Sequence, residues 1–314
     1  WALNILLLLP FLLFARKPHC ICRGPLATLL AIMGRKIGLV CRVVYDGRGA
    51  TAAELREYDV TPDEMVIAGM RKWERRAVCE SDYRNAVSTR LVDYWRQEYD
   101  YQGDRHVVVP CNINSIFERV ARRAAGILED GNQKRGRIYV YSGSVAGWQS
   151  IDRICAVLGE ILTTDAKARA VFYCREHDDI EKLSVQYSGR VERCWVHPDE
   201  VPDRLAEADV GMLVRKDTVT NQVAAPTKFA EYLACGLKVI ISENLGDYSD
   251  FVRSYGCGAV VSEYRVDVEE LTRKLSTRSD SAALCLRYFS KESNQVEVAY
   301  RQLLEFLDLG KEGG

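Results

Sequence analysis

Several common site signatures are missing from these 314 residues. There is no Gly-x4-Gly-Lys-Ser/Thr, so no P-loop, and no Gly-x-Gly-x-x-Gly dinucleotide fingerprint. No Cys-x-x-Cys occurs among the eleven cysteines. His19-Cys20-Ile21-Cys22 alternates within an expected strand, which splits its side chains between two faces. Cys194-Trp195-Val196-His197 brings two ligand types but no second pair, so a zinc site is not indicated. An odd number of unpatterned cysteines reads as free thiols in a reducing, cytoplasmic setting. Charge of one sign is missing too. The formal net charge is −1, with 43 basic and 44 acidic residues, and no basic stripe marks a nucleic-acid partner. Repeats and low-complexity tracts are absent.

Long apolar runs are also scarce. Trp1 to Phe14 is strongly apolar, but it is too short to span a bilayer and Pro10 interrupts it. It lacks the basic start and small-residue cleavage site of a signal peptide. The expectation is a buried helix whose upstream neighbours lie outside this sequence.

What is present is an alternation of short apolar strands and amphipathic helices. Length suggests about two domains. Strands are expected at His19 to Arg23, Leu39 to Tyr45, Arg84 to Ser88 and Val107 to Val109. Helices are expected at Pro25 to Ile37, with Leu26, Leu29, Leu30 and Met33 on the apolar face, at Pro62 to Cys79 and at Thr89 to Tyr99. Asp46-Gly47-Arg48-Gly49 reads as a turn at the carboxyl end of a strand, where open α/β sheets bind ligands. The basic cluster Arg119 to Arg123 with Lys134 to Arg137 reads as a solvated linker, and Glu129 to Arg137 as a polar hinge. A second α/β unit begins with the strand Ile138 to Ser142. Strands at 190 to 196, Asp209 to Val214, Lys238 to Ile241 and Gly256 to Val261 follow. Ser290 to Leu307 is a terminal helix with the stripe Val296, Tyr300, Leu303, Leu304 and Leu307, and Gly310 to Gly314 is a disordered tail.

The most informative stretch is Ala224 to Ser242, AAPTKFAEYLACGLKVIIS. Pro226 suits the first turn of a helix, Thr227 adds a hydroxyl there, and Gly236 suits a left-handed C-cap. Phe229, Tyr232 and Leu233 form the apolar face. Lys228 and Glu231 are three apart and share a face. A helix N-terminus with a lysine attracts phosphate, and a carboxylate one turn on can hold a ribose diol. A solvated Lys–Glu pair on a surface helix is the alternative. Arg215-Lys216 directly follows a buried strand. Arg215 is the first choice for a diphosphate contact, because a guanidinium grips phosphate with parallel hydrogen bonds; a surface Arg–Lys pair is the alternative. Gly143-Ser144, after Ile138 to Ser142, is either a plain turn or a set of backbone N–H groups near phosphate.

APTKFAEYLACGLKVI resembles the donor-binding helix of family 4 retaining glycosyltransferases, which have the GT-B fold, and in particular their bacterial surface-polysaccharide members. Arg215, Asn221, Pro226, Thr227, Lys228, Phe229, Glu231 and Tyr232 follow that subgroup in order. Val223 stands where many members have the first glutamate of a Glu-x7-Glu pair. RVVYDGRG resembles the subgroup's Asp-x-Arg-Gly loop. The resemblance implies two Rossmann-like domains facing a cleft, the first incomplete. Residues 1–118 would form the acceptor side, 119–290 the nucleotide-sugar domain and 291–314 a helix crossing back. It assigns Arg215, Lys228 and Glu231 to the reacting diphosphate sugar. Gly143, Ser144, Asn221, Pro226 and Thr227 are assigned to donor binding, with His197 as a positioning residue near the base. Asp46, Arg48 and Gly49 fall to the acceptor side, although Asp46 by its own residues reads first as half of an Asp–Arg pair holding the turn.

The implied reaction transfers a sugar from a nucleoside-diphosphate sugar to a saccharide or lipid-linked saccharide, with retention. The lack of any Asp-x-Asp pair speaks against the metal-dependent GT-A class, so neither metal nor other cofactor is expected. Peripheral contact with the inner face of a membrane is compatible with such an acceptor. Two other classes stay open: a nucleotide-sugar epimerase of similar fold, opposed by four unclustered histidines, and a non-catalytic nucleotide-sugar-binding protein, favoured by Val223.

Overall fold

The computed structural model describes residues 17–126, 136–262 and 277–307. Trp1 to Phe14, most of the Glu129 to Arg137 hinge and the Gly310 to Gly314 tail lie outside the described residues. The chain forms two compact units. The first holds residues up to Pro110, together with Gln222–Ala224 and the terminal helix from Glu297. The second holds Cys111–Asn221 and Ala225–Val296.

Unit 1 carries a four-stranded parallel sheet of β1 (Cys20–Arg23), β2 (Val43–Gly47), β3 (Tyr83–Ala86) and β4 (His106–Val108), side by side in chain order. Between the strands run α1 (Pro25–Lys36), α2 (Thr51–Glu57), α3 (Glu64–Glu80) and α4 (Thr89–Tyr99). Connections this long are what parallel pairing demands. Ser88 caps α4 by accepting from the Leu91 amide at 3.0 Å, and the same hydroxyl donates to the Val223 carbonyl at 2.7 Å. Val223 is buried.

Two details of unit 1 depart from the sequence reading. β2 begins at Val43 rather than Leu39, because residues 37–40 close α1: the Leu39 and Val40 amides both donate to the Gly34 carbonyl. It also runs further, so Asp46 and Gly47 are the last residues of the strand and not part of a turn. On α1 the buried face is Thr28, Leu29, Ala31 and Ile32, and Met33 points to solvent.

Unit 2 is a six-stranded parallel sheet. In chain order its strands are β5 (Ile138–Ser142), β6 (Arg169–Tyr173), β7 (Val191–Cys194), β8 (Val210–Leu213), β9 (Lys238–Ser242) and β10 (Gly258–Val261). In space the order is β10-β9-β8-β5-β6-β7. The chain winds outward from β5 to β7, returns to the other side of β5 at β8, and winds outward again. The carboxyl ends of β5 and β8 therefore flank a topological switch point, the place where doubly wound sheets bind ligands. Tyr139, Tyr141, Phe172, Ile154, Leu158, Ile161, Met212 and Ile240 fill its core.

Residues 119–123 are not a linker. They belong to α5 (Ser115–Ala125), which Asn114 caps by accepting from the Ile116 and Phe117 amides at 2.9 and 3.0 Å. Phe117 and Ala121 are its buried anchors, and Arg122 pairs with Glu118 and Glu292. Its apolar positions recur at helical spacing, but the basic residues set between them drew the linker reading. The helix expected at Ser290 to Leu307 stands as α13 (Asn294–Phe306), and a separate helix, α12 (Arg278–Phe289), precedes it. The chain turns extended at Ser290, and Ser293 accepts from the Val296 amide to start α13. Val296, Leu303 and Leu307 are buried, whereas Tyr300 and Leu304 are exposed.

Candidate functional site

The site is built around α10 (Thr227–Ala234), which follows the single turn α9 (Val219–Gln222). Pro226 occupies its N-cap position and no side chain caps it. Gly236, at φ +75°, ends it. The Gly236 amide donates to Leu233 at 2.9 Å and the Leu237 amide to Tyr232 at 3.0 Å, the paired bonds of a left-handed helix stop. The chain then enters β9.

Tyr232 fixes the helix at the switch point. β5 and β8 pair only at Tyr139–Val210 and Val140–Gly211, although both strands continue. The Tyr232 hydroxyl bridges the gap beyond, accepting from the Ser142 amide at 3.1 Å and donating to the Met212 carbonyl at 3.5 Å. Its ring lies against Gly211. Lys228 is one turn earlier on the same face, so anchoring Tyr232 aims Lys228 at the end of β5. There Gly143 has φ +148°, and a Cβ on it would fall 2.1 Å from the Lys228 Cε and 2.5 Å from its Nζ. Only glycine lets the lysine lie against this backbone.

Arg215 follows β8 by two residues and is buried. Its amide donates to the Ser242 hydroxyl at 3.2 Å, and its guanidinium donates to the Gln149 Oε1 at 2.9 Å and the Asn221 Oδ1 at 3.3 Å. Asn221 in turn donates to the Lys216 carbonyl at 3.0 Å and the Thr218 hydroxyl at 3.3 Å. It thus shapes the loop that carries Arg215. Gln149 lies in the one-turn helix Gly147–Gln149 after β5. Its neighbour Ser150 accepts from the Lys216 amide at 3.0 Å.

Burial dominates the electrostatics of the two charged side chains on α10. Burial first, and then the nearby Arg215 charge, lower the Lys228 ammonium to about 8, while Glu231 acts the other way. Burial raises the Glu231 carboxyl above its ordinary range, opposed by Lys228. Among the described residues neither side chain takes a hydrogen-bond or ion-pair partner, although both are at least half buried.

Arg215, Lys228, Glu231, Asn221, Pro226 and Gly143 are therefore brought together. Ser144 is exposed beside Gly143 and its carbonyl is held by the Tyr141 hydroxyl. Thr227 is exposed at the start of α10. His197 is not brought in. It follows β7, the edge strand two places from β5, about 10 Å across the sheet. It is exposed there, with its polar and ring contacts going to Asp199 and Trp195. Gln149 and Ser242 also contact Arg215, and the motif reading assigned neither; the signal for Gln149 was its place in the segment that follows the Gly143-Ser144 turn.

In unit 1, Asp46 is buried. Its Oδ2 accepts from the Arg48 Nε at 3.1 Å and the Arg23 Nε at 3.3 Å, and its Oδ1 accepts from the Asn85 Nδ2 at 3.0 Å. Gly49 has open space around it. Among the described residues, no group of three His, Cys, Asp or Glu side chains is placed to hold a metal ion, and no helix is long and apolar enough to cross a membrane.

No family model and no curated protein sequence matches this chain. Solved structures do. Sucrose-phosphate synthase from Thermosynechococcus elongatus superposes with a TM-score of 0.70 at 14% identity, over 96% of this chain and 77% of that one. The chain has the GT-B fold. The Anabaena protein HepE, solved in complex with UDP, gives 0.68 at 12% identity over 96% and 82% of the two chains. A glycosyltransferase from Rickettsia africae gives 0.66 at 12% identity over 99% and 81%. At such identities the GT-B likeness concerns the fold, and the site must speak for the chemistry.

Proposed function

We propose that this protein is a glycosyltransferase that binds a nucleoside-diphosphate sugar in unit 2 and transfers the sugar with retention, without a metal. The observation that carries the reading is the convergence of Arg215, Lys228 and the uncapped start of α10 on the switch point of the sheet, with Glu231 one turn along. Departure of a nucleoside diphosphate leaves charge on the β-phosphate. Two cations and a helix N-terminus are the means this chain has to neutralise it. Glu231 would accept the ribose hydroxyls, which would satisfy its unpartnered carboxylate. Retention, a saccharide or lipid-linked saccharide acceptor, a role in surface polysaccharide synthesis and a place at the cytoplasmic face of the membrane come from the resemblance of the PTKFAEY helix to family 4. Similarity to structures solved with UDP and with UDP-2-fluoro glucose supports the donor class.

A non-catalytic binding module is the second reading. It draws on Val223, which buries its side chain in unit 1 where many family 4 members carry a glutamate. An epimerase gains nothing from the structure: none of the four histidines lies at the switch point.

Calorimetry with UDP and GDP in EDTA tests the donor site. One nucleotide should bind the wild type, and Arg215→Ala and Glu231→Ala should each weaken it. A folded protein that binds neither nucleotide, or variants that bind as the wild type does, would remove the assignment. Hydrolysis of the bound diphosphate sugar, followed by mass spectrometry, separates the enzyme from the binding module.

A further inference from the structure

The carboxyl edge of the unit 1 sheet carries a polar row that the donor chemistry leaves unused. Strand pairing puts Arg23 of β1 beside Asp46 of β2, and Asp46 beside Asn85 of β3. Residues in register share a face, and the side chains do join: Arg23 and Asn85 both donate to the Asp46 carboxylate, with Arg48 as its third donor. The row crosses two strand spacings, about 10 Å.

Two features of this row point to a ligand rather than to scaffold. The Asn85 Oδ1 is buried without a hydrogen-bond partner, in a side chain only 9% exposed. A buried acceptor left unpaired is costly, and a ligand hydroxyl would supply its donor. Arg23 engages Asp46 through Nε alone, its side chain is 74% exposed, and the outer edge of its guanidinium takes no partner among the described residues. A guanidinium held at one end by a buried carboxylate is pre-oriented for an oxyanion at the other. Arg48 donates through its own Nε to the same carboxylate oxygen.

We infer that Arg23, Asp46, Arg48 and Asn85 form a subsite for a sugar that carries an oxyanion, a phosphate or a carboxylate, with the arginines on the anion and Asn85 on a hydroxyl. The inference rests on the transferase reading, in which unit 1 takes the acceptor, and it names the acceptor's chemical class. Asp46 acts as the positioning group that holds both arginines, which agrees with its burial.

The test is calorimetry on the full chain with glucose 6-phosphate, glucuronate, glucose and inorganic phosphate, each with UDP or GDP titrated separately. Binding of glucose 6-phosphate or glucuronate at least tenfold tighter than both glucose and inorganic phosphate is expected, and the tighter of the two identifies the anion. Arg23→Gln lies on the surface and should fold normally. It and Arg48→Gln should each weaken the anionic sugar about tenfold, with nucleotide affinity unchanged. If the anionic sugars bind no better than glucose or phosphate, or if both arginine variants bind as the wild type does, the subsite is wrong. Should that happen while UDP or GDP still binds, only this inference falls. If instead the anionic sugar binds through the arginines and neither nucleotide binds, the subsite stands and the donor reading falls.

Discussion

Each unit draws a glutamate away from most of the solvent, and the two are treated in opposite ways. Glu74 of α3 is 0% exposed, and every lone pair that matters is used. It accepts from the Thr51 and Ala52 amides at 3.0 Å each and from the Tyr99 hydroxyl at 2.9 Å. The N-terminus of α2, whose own N-cap is Ala50, is thereby capped from another helix. Burial raises the carboxyl of Glu74 while these three bonds oppose the rise. Glu231 is less buried and has none of this support, and its neighbour Lys228 has none either. Burial alone therefore does not distinguish a scaffold carboxylate from a functional one. We propose that the number of partners does: a satisfied charge holds the fold, and an unsatisfied one on the helix at the switch point meets a ligand.

That contrast predicts its largest effect in unit 1. Glu74→Ala leaves two amides and a hydroxyl buried and unpaired, at about 1–3 kcal/mol for each such group. A loss of about 3 kcal/mol or more is expected in denaturant unfolding, with nucleotide affinity retained in the protein that stays folded. Glu231→Ala should show the reverse pattern: an unchanged or raised midpoint, because an unpartnered carboxylate is removed, and weaker nucleotide binding. If Glu231→Ala destabilised the protein as Glu74→Ala does, the distinction between the two sites would collapse.

Next in size is Arg215→Ala. A charged hydrogen bond to phosphate is worth about 1.5–3 kcal/mol, or roughly 10- to 150-fold in Kd, read by titration with the nucleotide that binds. Gln149→Glu sharpens the point at lower cost to the fold. It keeps the shape of the network but sets a carboxylate against the guanidinium. We expect about tenfold weaker binding, as for one lost charge-assisted contact, with Gln149→Ala affected less. Equal affinity in Gln149→Glu and wild type would mean that Arg215 does not face the diphosphate.

The fold was readable because the sequence switches cleanly between apolar runs of strand length and helical stripes. Ile138 to Ser142 and Thr89 to Tyr99 stand in the structure with the bounds their residues suggested, and the strand from Lys238 runs one residue further, to Ser242. Elements held by partners distant in the chain were not readable. α2 is a short helix capped by Glu74, 23 residues on. α12 carries its apolar residues in no clear stripe, and it is seated by Arg278, which donates to the carbonyls of Ala206, Ala208 and Cys235. The site divides in the same way. Lys228, Glu231 and Tyr232 are local on one helix and could be read from spacing. Gln149 reaches Arg215 across 66 residues, and Arg23 and Asn85 each meet Asp46 across an adjacent strand. No spacing within the sequence encodes those meetings.

The effect of pH is the most specific, because it separates affinity from stability at a single residue. Lys228 is held near 8, against 10.5 for an exposed lysine, first by burial and then by Arg215. Between those two values the unfolded chain binds more protons than the native one, so this group's contribution to stability rises with pH through the window from about 8 to 10.5. A bound diphosphate favours the charged lysine. Below about pH 8 the site is already protonated and binding is insensitive to pH. Above it, binding must take up a proton, and affinity should fall toward a limit of about tenfold per pH unit. Raising the pH thus weakens the nucleotide complex while relieving the native protein of a buried charge. Calorimetry in two buffers of different ionisation enthalpy reads the proton uptake directly. Lys228→Met should abolish both trends, whereas Glu74, satisfied by neutral donors far from this lysine in the chain, should leave them as they are when changed to Gln. A pH-independent affinity from 7 to 9.5 in the wild type would show that Lys228 does not meet the anion, however close it lies to Gly143.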